Sequence, residues 1–140
     1  MYVIDTNVAS ELMRPSPAPA VAAWIAGQDA EELYLTAVSE AELLYGVAIV
    51  PAGRRRNELE AVMHRWLDTG FAGRILPFDS AATRACADIA ADRRFAGRPI
   101  SPADCQIAAI SRSRGMAVVT RNVRDFEASG IVVIDPWTAR

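Results

Sequence analysis

The chain has 140 residues, 51% of them apolar, and a formal charge of −2. That length can bury a real core within one domain, residues 1–140, and no apolar run approaches the roughly 20 residues of a membrane helix, so no membrane association is expected. The near-neutral balance supplies no global positive field, and the two cysteines, Cys86 and Cys105, have neither CxxC nor Cys/His spacing, so they read as reduced core thiols rather than a disulfide or metal pair.

Residues 2–4 are a short apolar run suited to a buried strand, and Asp5 ends it. An acid so near the start leaves no signal-peptide layout, and a cytoplasmic protein is the expectation. An amphipathic stretch follows Thr6 and Asn7, and Pro15, Pro17 and Pro19 punctuate the first helix–helix junction. Residues 33–36 read as a second strand leading into "TAVSEAELLYG". "PAGRRR" opens a polar break, with residues 54–56 read as a solvated loop. The helix of residues 57–71 comes next, with Leu59, Val62, Met63, Trp66 and Leu67 recurring at three and four. Residues 75–78 are a third strand. "SPADCQIAA" opens a helix with no strand before it, and Gly115 closes that helix. Residues 117–120 and 131–134 complete the set, followed by "TRNVRDF" and "DPW" respectively. Five short strands alternating with six or seven helices predict an α/β fold, a mainly parallel sheet covered on both faces.

In such sheets ligands bind beyond the carboxyl ends of the strands, where Asp5 stands. Three helix starts also carry an acid three residues after a capping residue: Ser39 with Glu42, Ser101 with Asp104, and Asn122 with Asp125. Each fits a capping box, in which the first side chain bonds the third amide and the acid reaches back. Asp5 has no such reading, because Thr6 or Asn7 is available to cap. If the sheet gathers these acids, charges ~4 Å apart repel by about 4 kcal/mol at an effective dielectric near 20. The cluster must then protonate in part or hold a cation. All-oxygen donors without histidine suit Mg²⁺ or Mn²⁺ rather than Zn²⁺. Such an ion can polarise a phosphodiester and activate water.

The chain has no lysine, so every positive side chain other than the lone His64 is arginine, whose planar fork suits phosphate. Arg121, within "TRN", and Arg124, two residues after it, are candidates to meet phosphate oxygens; Arg112 and Arg114 read as solvated surface. Gly46, one turn after Glu42, leaves room beside that carboxylate or serves packing. His64 is read as a packed or surface residue, and Trp24 and Trp66 as core.

"VIDTNV" at the start, Ser39 to Gly46 as S-x-x-E-L-x-x-G, "ADxxIAA" from Ala103 to Ala109 and "TRNxxDF" from Thr120 to Phe126 together resemble the PIN domain. More narrowly they resemble VapC-type toxins of type II toxin–antitoxin pairs, with "FAGRILPFD" and "VIDPW" similar to the FitB-like branch. The ordered set runs essentially end to end. The resemblance implies a PIN-like three-layer fold with a five-stranded parallel sheet, and a Mg²⁺- or Mn²⁺-dependent endoribonuclease that hydrolyses RNA with metal-activated water. It also implies a homodimer and a small cognate antitoxin, VapB-like, that plugs the acidic site. Carried over by position, Asp5, Glu42 and Asp104 match the main acidic positions: Asp5 and Asp104 as metal ligands, Glu42 as ligand or water-orienting group. The fourth position is split, since some relatives have an acid directly after "TR" where this chain has Asn122, leaving Asp125 nearby. Thr6 and Thr120 are placed to hold carboxylates or phosphate.

Two rivals come from other classes. A strand ending in "DTN" is also a start for phosphoryl transfer through an aspartyl nucleophile, but such enzymes use a lysine near the phosphate. The stronger rival is a non-catalytic module of the same fold that binds nucleic acid or a protein while its acids merely cap.

Overall fold

The computed structural model describes residues 1–139. Five strands, β1 (Tyr2–Ile4), β2 (Leu33–Thr36), β3 (Ile75–Leu76), β4 (Ala117–Val119) and β5 (Val133–Ile134), form one parallel sheet in the order β3-β2-β1-β4-β5. The expected strands are all present, and the last three are shorter than read. Pro77 has no amide to continue the pairing of β3, and β5 is an edge strand limited by the length of β4, its one neighbour.

Seven helices cover the sheet: α1 (Thr6–Leu12), α2 (Pro19–Ala26), α3 (Ala37–Ala48), α4 (Arg54–Arg65), α5 (Ser80–Phe95), α6 (Pro102–Ser113) and α7 (Val123–Phe126). The chain builds β1, β2 and β3 outward on one side, then returns past β1 to lay β4 and β5 on the other. The direction of winding therefore reverses between β1 and β4, and their carboxyl ends splay apart into a crevice there.

Strand periodicity sorts the core into two layers. Val3 and Val118 face one way, packing with Ile89, Ile107, Ala108 and Ile110 of α5 and α6. Ile4, Leu35 and Val119 face the other, against Val8 of α1, Leu43 and Val47 of α3, and Met63 of α4. Val3, Ile4, Val118 and Val119 are fully buried, as a central strand requires. Leu59, Met63, Trp66 and Leu67 meet that second layer as their spacing predicts, whereas Val62 is exposed.

The run 54–56 is not a loop. It forms the first turn of α4, where Arg54 and Arg56 pair with Glu58 and Glu60 one turn on, at 3.0 and 3.7 Å. Those i,i+4 partners offset the unfavourable placing of cations at a helix start. The helix continues through a π-type turn, Trp66–Gly70, before Phe71 leaves it. The cysteines are thiols, as expected, with their sulfurs 3.1 Å apart between α5 and α6; burial first, and then the bond to Cys86, pushes the Cys105 thiol up to about 12.

Helices α5 and α6 run antiparallel, since Arg114 at the end of α6 pairs with Asp79 at the start of α5 (3.3 Å). Near the end of α5, Arg93 is buried without a carboxylate partner among the described residues. Its guanidinium donates instead to the carbonyls of Arg98, Asp125 and Glu127, at 2.7, 2.8 and 3.0 Å. It thus ties the short α7 to the helix pair. Replacing Arg93 by Leu would strip three carbonyls of a charged donor and is expected to cost about 3 kcal/mol of stability, read as a lower urea midpoint at unchanged slope.

Candidate active site

Asp5 lies at the carboxyl end of β1, next to β4, and is only 5% exposed. A buried carboxylate needs donors, and the neighbouring chain ends supply them. The Thr120 hydroxyl donates to Asp5 Oδ2 at 2.7 Å, and the Thr6 amide to Oδ1 at 2.8 Å. Asn7 Nδ2 reaches Asp5 Oδ2 (3.3 Å) and Thr120 Oγ1 (3.2 Å), while Asn7 Oδ1 accepts from the Arg121 amide (3.2 Å). The Asn122 amide donates to Thr120 Oγ1 at 3.0 Å. The "DTN" and "TRN" turns are therefore stitched together across the point where the winding reverses.

One expectation about Asp5 is overturned. It does occupy the cap position of α1, because it is the single residue between β1 and α1. The bond it makes goes to the first helical amide, not to the second or third that a capping side chain ordinarily serves, so capping alone leaves its burial unexplained. The capping boxes also divide. Ser101 caps α6 as expected, its hydroxyl accepting from the Asp104 amide at 3.2 Å. Helix α3 instead starts three residues earlier than read: Thr36 caps it through the Ser39 amide (3.1 Å), which leaves Glu42 in the second turn, too far along to serve the start. Asn122 precedes α7 but makes no side-chain cap.

Glu42 is exposed at the rim of the crevice and held by Thr6, whose hydroxyl lies 2.9 Å from both Glu42 Oε1 and the buried Ser39 Oγ. Asp5, Thr6, Asn7, Ser10, Glu42, Asp104 and Asn122 line one cleft of about 280 Å³. The structure thus brings together Asp5, Glu42, Asp104, Thr6 and Asn122. Asp125 lines the adjoining cleft with Arg121 and Arg124, and its charge bears on Asp104 from there. Gly46 is no packing glycine, since a side chain there would meet nothing within 4 Å. Asn7 and Ser39 are the site residues that sequence reasoning passed over. Asn7 stood in the "DTN" motif, but its bonds to residues 120 and 121 only the fold reveals.

The electrostatics follow from burial and crowding. Burial pushes the Asp5 carboxyl up to about 6; the bonds from Thr120 and Thr6 pull it down, and the charges of Asp104 and Glu42 push it further up. Asp104 is also raised, first by burial, with Ser101 opposing, Asp125 adding and Arg93 opposing. None of the ion pairs among the described residues involves Asp5, Glu42 or Asp104. An uncompensated all-oxygen donor set of this kind suits a hard divalent cation. Among the described residues, no three acid, histidine or cysteine side chains stand together closely enough to hold a metal ion by themselves.

The strand order and the acids gathered where the winding reverses place the chain among α/β domains whose site lies at that reversal point. The chain belongs to the PIN-domain family, whose model matches residues 2–130. It is 44% identical to VapC ribonuclease Y4jK of Sinorhizobium fredii over 137 residues, covering 98% of each chain. It is 38% identical to Toxin FitB of Neisseria gonorrhoeae over 137 residues, covering 98% of this chain and 99% of that one. Its fold superposes on a solved FitAB structure bound to the IR36 DNA fragment with a TM-score of 0.94 at 38% identity, covering 100% of this chain and 98% of that one. No helix among the described residues is long and apolar enough to cross a membrane.

The raised Asp5 carboxyl predicts a pH signature. A group whose pKa is higher in the folded state favours folding when neutral, so its contribution is present below the ordinary 3.8 and is lost as pH rises through about 6. In chelator, the stability of the native chain relative to Asp5→Asn should therefore fall by on the order of 2–3 kcal/mol between about pH 4 and pH 7. A divalent cation should restore native stability at neutral pH and do little at pH 4. Urea titrations at each pH decide this; a native-minus-variant difference indifferent to both pH and cation would remove the electrostatic account.

Proposed function

We propose that the chain is a divalent-metal-dependent endoribonuclease, the toxin of a type II toxin–antitoxin pair. The observation that carries this is the crevice itself: three acids share one cleft without an ion-pair partner among the described residues, Asp5 raised by burial and by the charges of Asp104 and Glu42, Asp104 by burial and by the charge of Asp125. The end-to-end likeness to a VapC ribonuclease and to Toxin FitB supports the choice of RNA and of the toxin role.

Asp5 and Asp104 are the metal ligands, and Glu42 a ligand or water-orienting group on the opposite rim. The ion is Mg²⁺ or Mn²⁺; when bound, it neutralises charge on the phosphodiester and lowers the pKa of water. Thr120 and Asn7 hold the Asp5 carboxylate toward the cleft, and Thr6 does the same for Glu42. Asn122 offers a neutral amide at the cleft wall, able to orient water or substrate but not to act as a base. Asp125 works through Asp104 rather than on the reacting atoms. Arg121 and Arg124, exposed beside the cleft, meet phosphate oxygens. The protein acts in the cytoplasm as a homodimer, and its partner is a small VapB-like antitoxin that occupies the acidic cleft until released.

The test is cleavage of RNA by the purified chain with Mg²⁺, Mn²⁺ or chelator. Asp5→Asn and Asp104→Asn should each lower the rate by at least about a thousandfold, the scale of losing a group that stabilises transition-state charge, while circular dichroism shows a folded chain. Glu42→Gln should lose less, about 10- to 100-fold, in keeping with a role shared with water. If the Asn variants unfold readily but cut RNA at the native rate, the acids are caps and the domain is a non-catalytic binding module.

A further inference from the structure

Beside the acidic crevice lies a second cleft of about 350 Å³, walled by Arg121, Asn122, Val123, Arg124, Asp125 and Asp135. Asn122 lines both, so the two adjoin at that residue. The second cleft carries two arginines that make no ion pair among the described residues. Of its two acids, Asp135 accepts from the Trp137 amide at 2.9 Å, closing the "DPW" turn, and Asp125 is held through its carbonyl by Arg93 at 2.8 Å; among the described residues neither carboxylate pairs with an arginine of the cleft. That turn has a further consequence. It sets the Trp137 ring under the Arg121 guanidinium, whose carbon lies 4.9 Å from the ring centre. The partly buried Trp137 side chain packs in turn against the core layer that holds Ile4 and Val119. The Arg121 backbone is held separately, by its amide bond to Asn7.

An arginine stacked on an indole keeps its N–H edge free while its face is covered. Such an edge, fixed at both backbone and head, is organised before any ligand arrives. We infer that this cleft is the track for the RNA strand flanking the scissile bond, and that Trp137 is a positioning residue that aims Arg121 at a flanking phosphate. The inference rests on the nuclease reading for its substrate and adds a binding subsite and a role for the C-terminal turn.

Binding and cleavage are measured separately. Affinity for a mixed-sequence single-stranded RNA oligonucleotide in chelator, over a range of salt, reads the subsite without chemistry; KM and kcat in Mg²⁺ read it during turnover. Trp137→Leu, which keeps apolar packing but loses the aromatic face, should weaken binding and raise KM about three- to fivefold, the size of an exposed cation–π contact, with kcat unchanged. Its salt slope should become shallower by about 0.7, one phosphate contact on a single strand. Trp137→Phe should restore most of the loss. Arg121→Gln should show the same slope, and adding Trp137→Leu to it should change nothing more. A Trp137→Leu protein with native affinity and slope overturns the proposal, as does an equal fall of kcat in the Leu and Phe variants with KM unmoved. If the native chain binds this RNA but cuts none in Mg²⁺ or Mn²⁺, the nuclease reading fails while the binding arm still decides the subsite.

Discussion

The interaction on which the site depends is the burial of one carboxylate without a cation. Asp5 is 5% exposed at the end of the central strand, and isolated charge is not tolerated there unless donors replace its lost water. Those donors come from residue 120, more than a hundred positions away, and from the first turn of α1. Their arrival is a consequence of topology. Only because β4 returns to lie against β1, register Ile4 to Val119, does Thr120 stand beside Asp5. The strand order is thus a chemical requirement as well as an architectural one. Bonds to Oδ1 and Oδ2 moderate the cost of burial without cancelling it, and the carboxyl remains raised.

Much of this was legible in the sequence because it is local. Apolar runs of three or four residues mark all five strands, and their alternation with helical stretches implies the parallel sheet. The cap at Ser101 was legible for the same reason, since Pro102 and Asp104 beside it form a local pattern. What misled was registration at chain ends. Both Thr36 and Ser39 can cap, and the sequence cannot tell which amide the strand leaves free; the structure chooses Thr36 because β2 ends there. The arginines at 54–56 resemble a solvated break until their glutamates one turn on are paired with them.

The illegible part is long-range. Asn7 is an ordinary turn residue until the fold places it between Asp5, Thr120 and Arg121. Arg93 sits in a charged stretch, "ADRRF", that drew no reading from the sequence, yet it is buried on the carbonyls of Asp125 and Glu127. Neither role leaves a periodic or spacing signature, because each bond joins segments whose proximity is decided by the sheet.

The division of labour at the fourth position follows from the same electrostatics. An acid at position 122 would stand in the cleft with Asp5, Glu42 and Asp104 and add a fourth like charge. At an effective dielectric near 20, each further charge a few ångströms away costs several kcal/mol. Asn122 occupies that wall as a neutral amide, and the nearby acid is carried three residues on, at Asp125, in the adjoining cleft. There its repulsion still reaches Asp104 but is opposed by the buried Arg93, which acts on the same carboxylate. Arg93 also holds the Asp125 carbonyl, so one side chain both places the displaced acid and softens its effect. The arrangement keeps a fourth carboxylate out of the crevice and limits the like charge the fold must bear there.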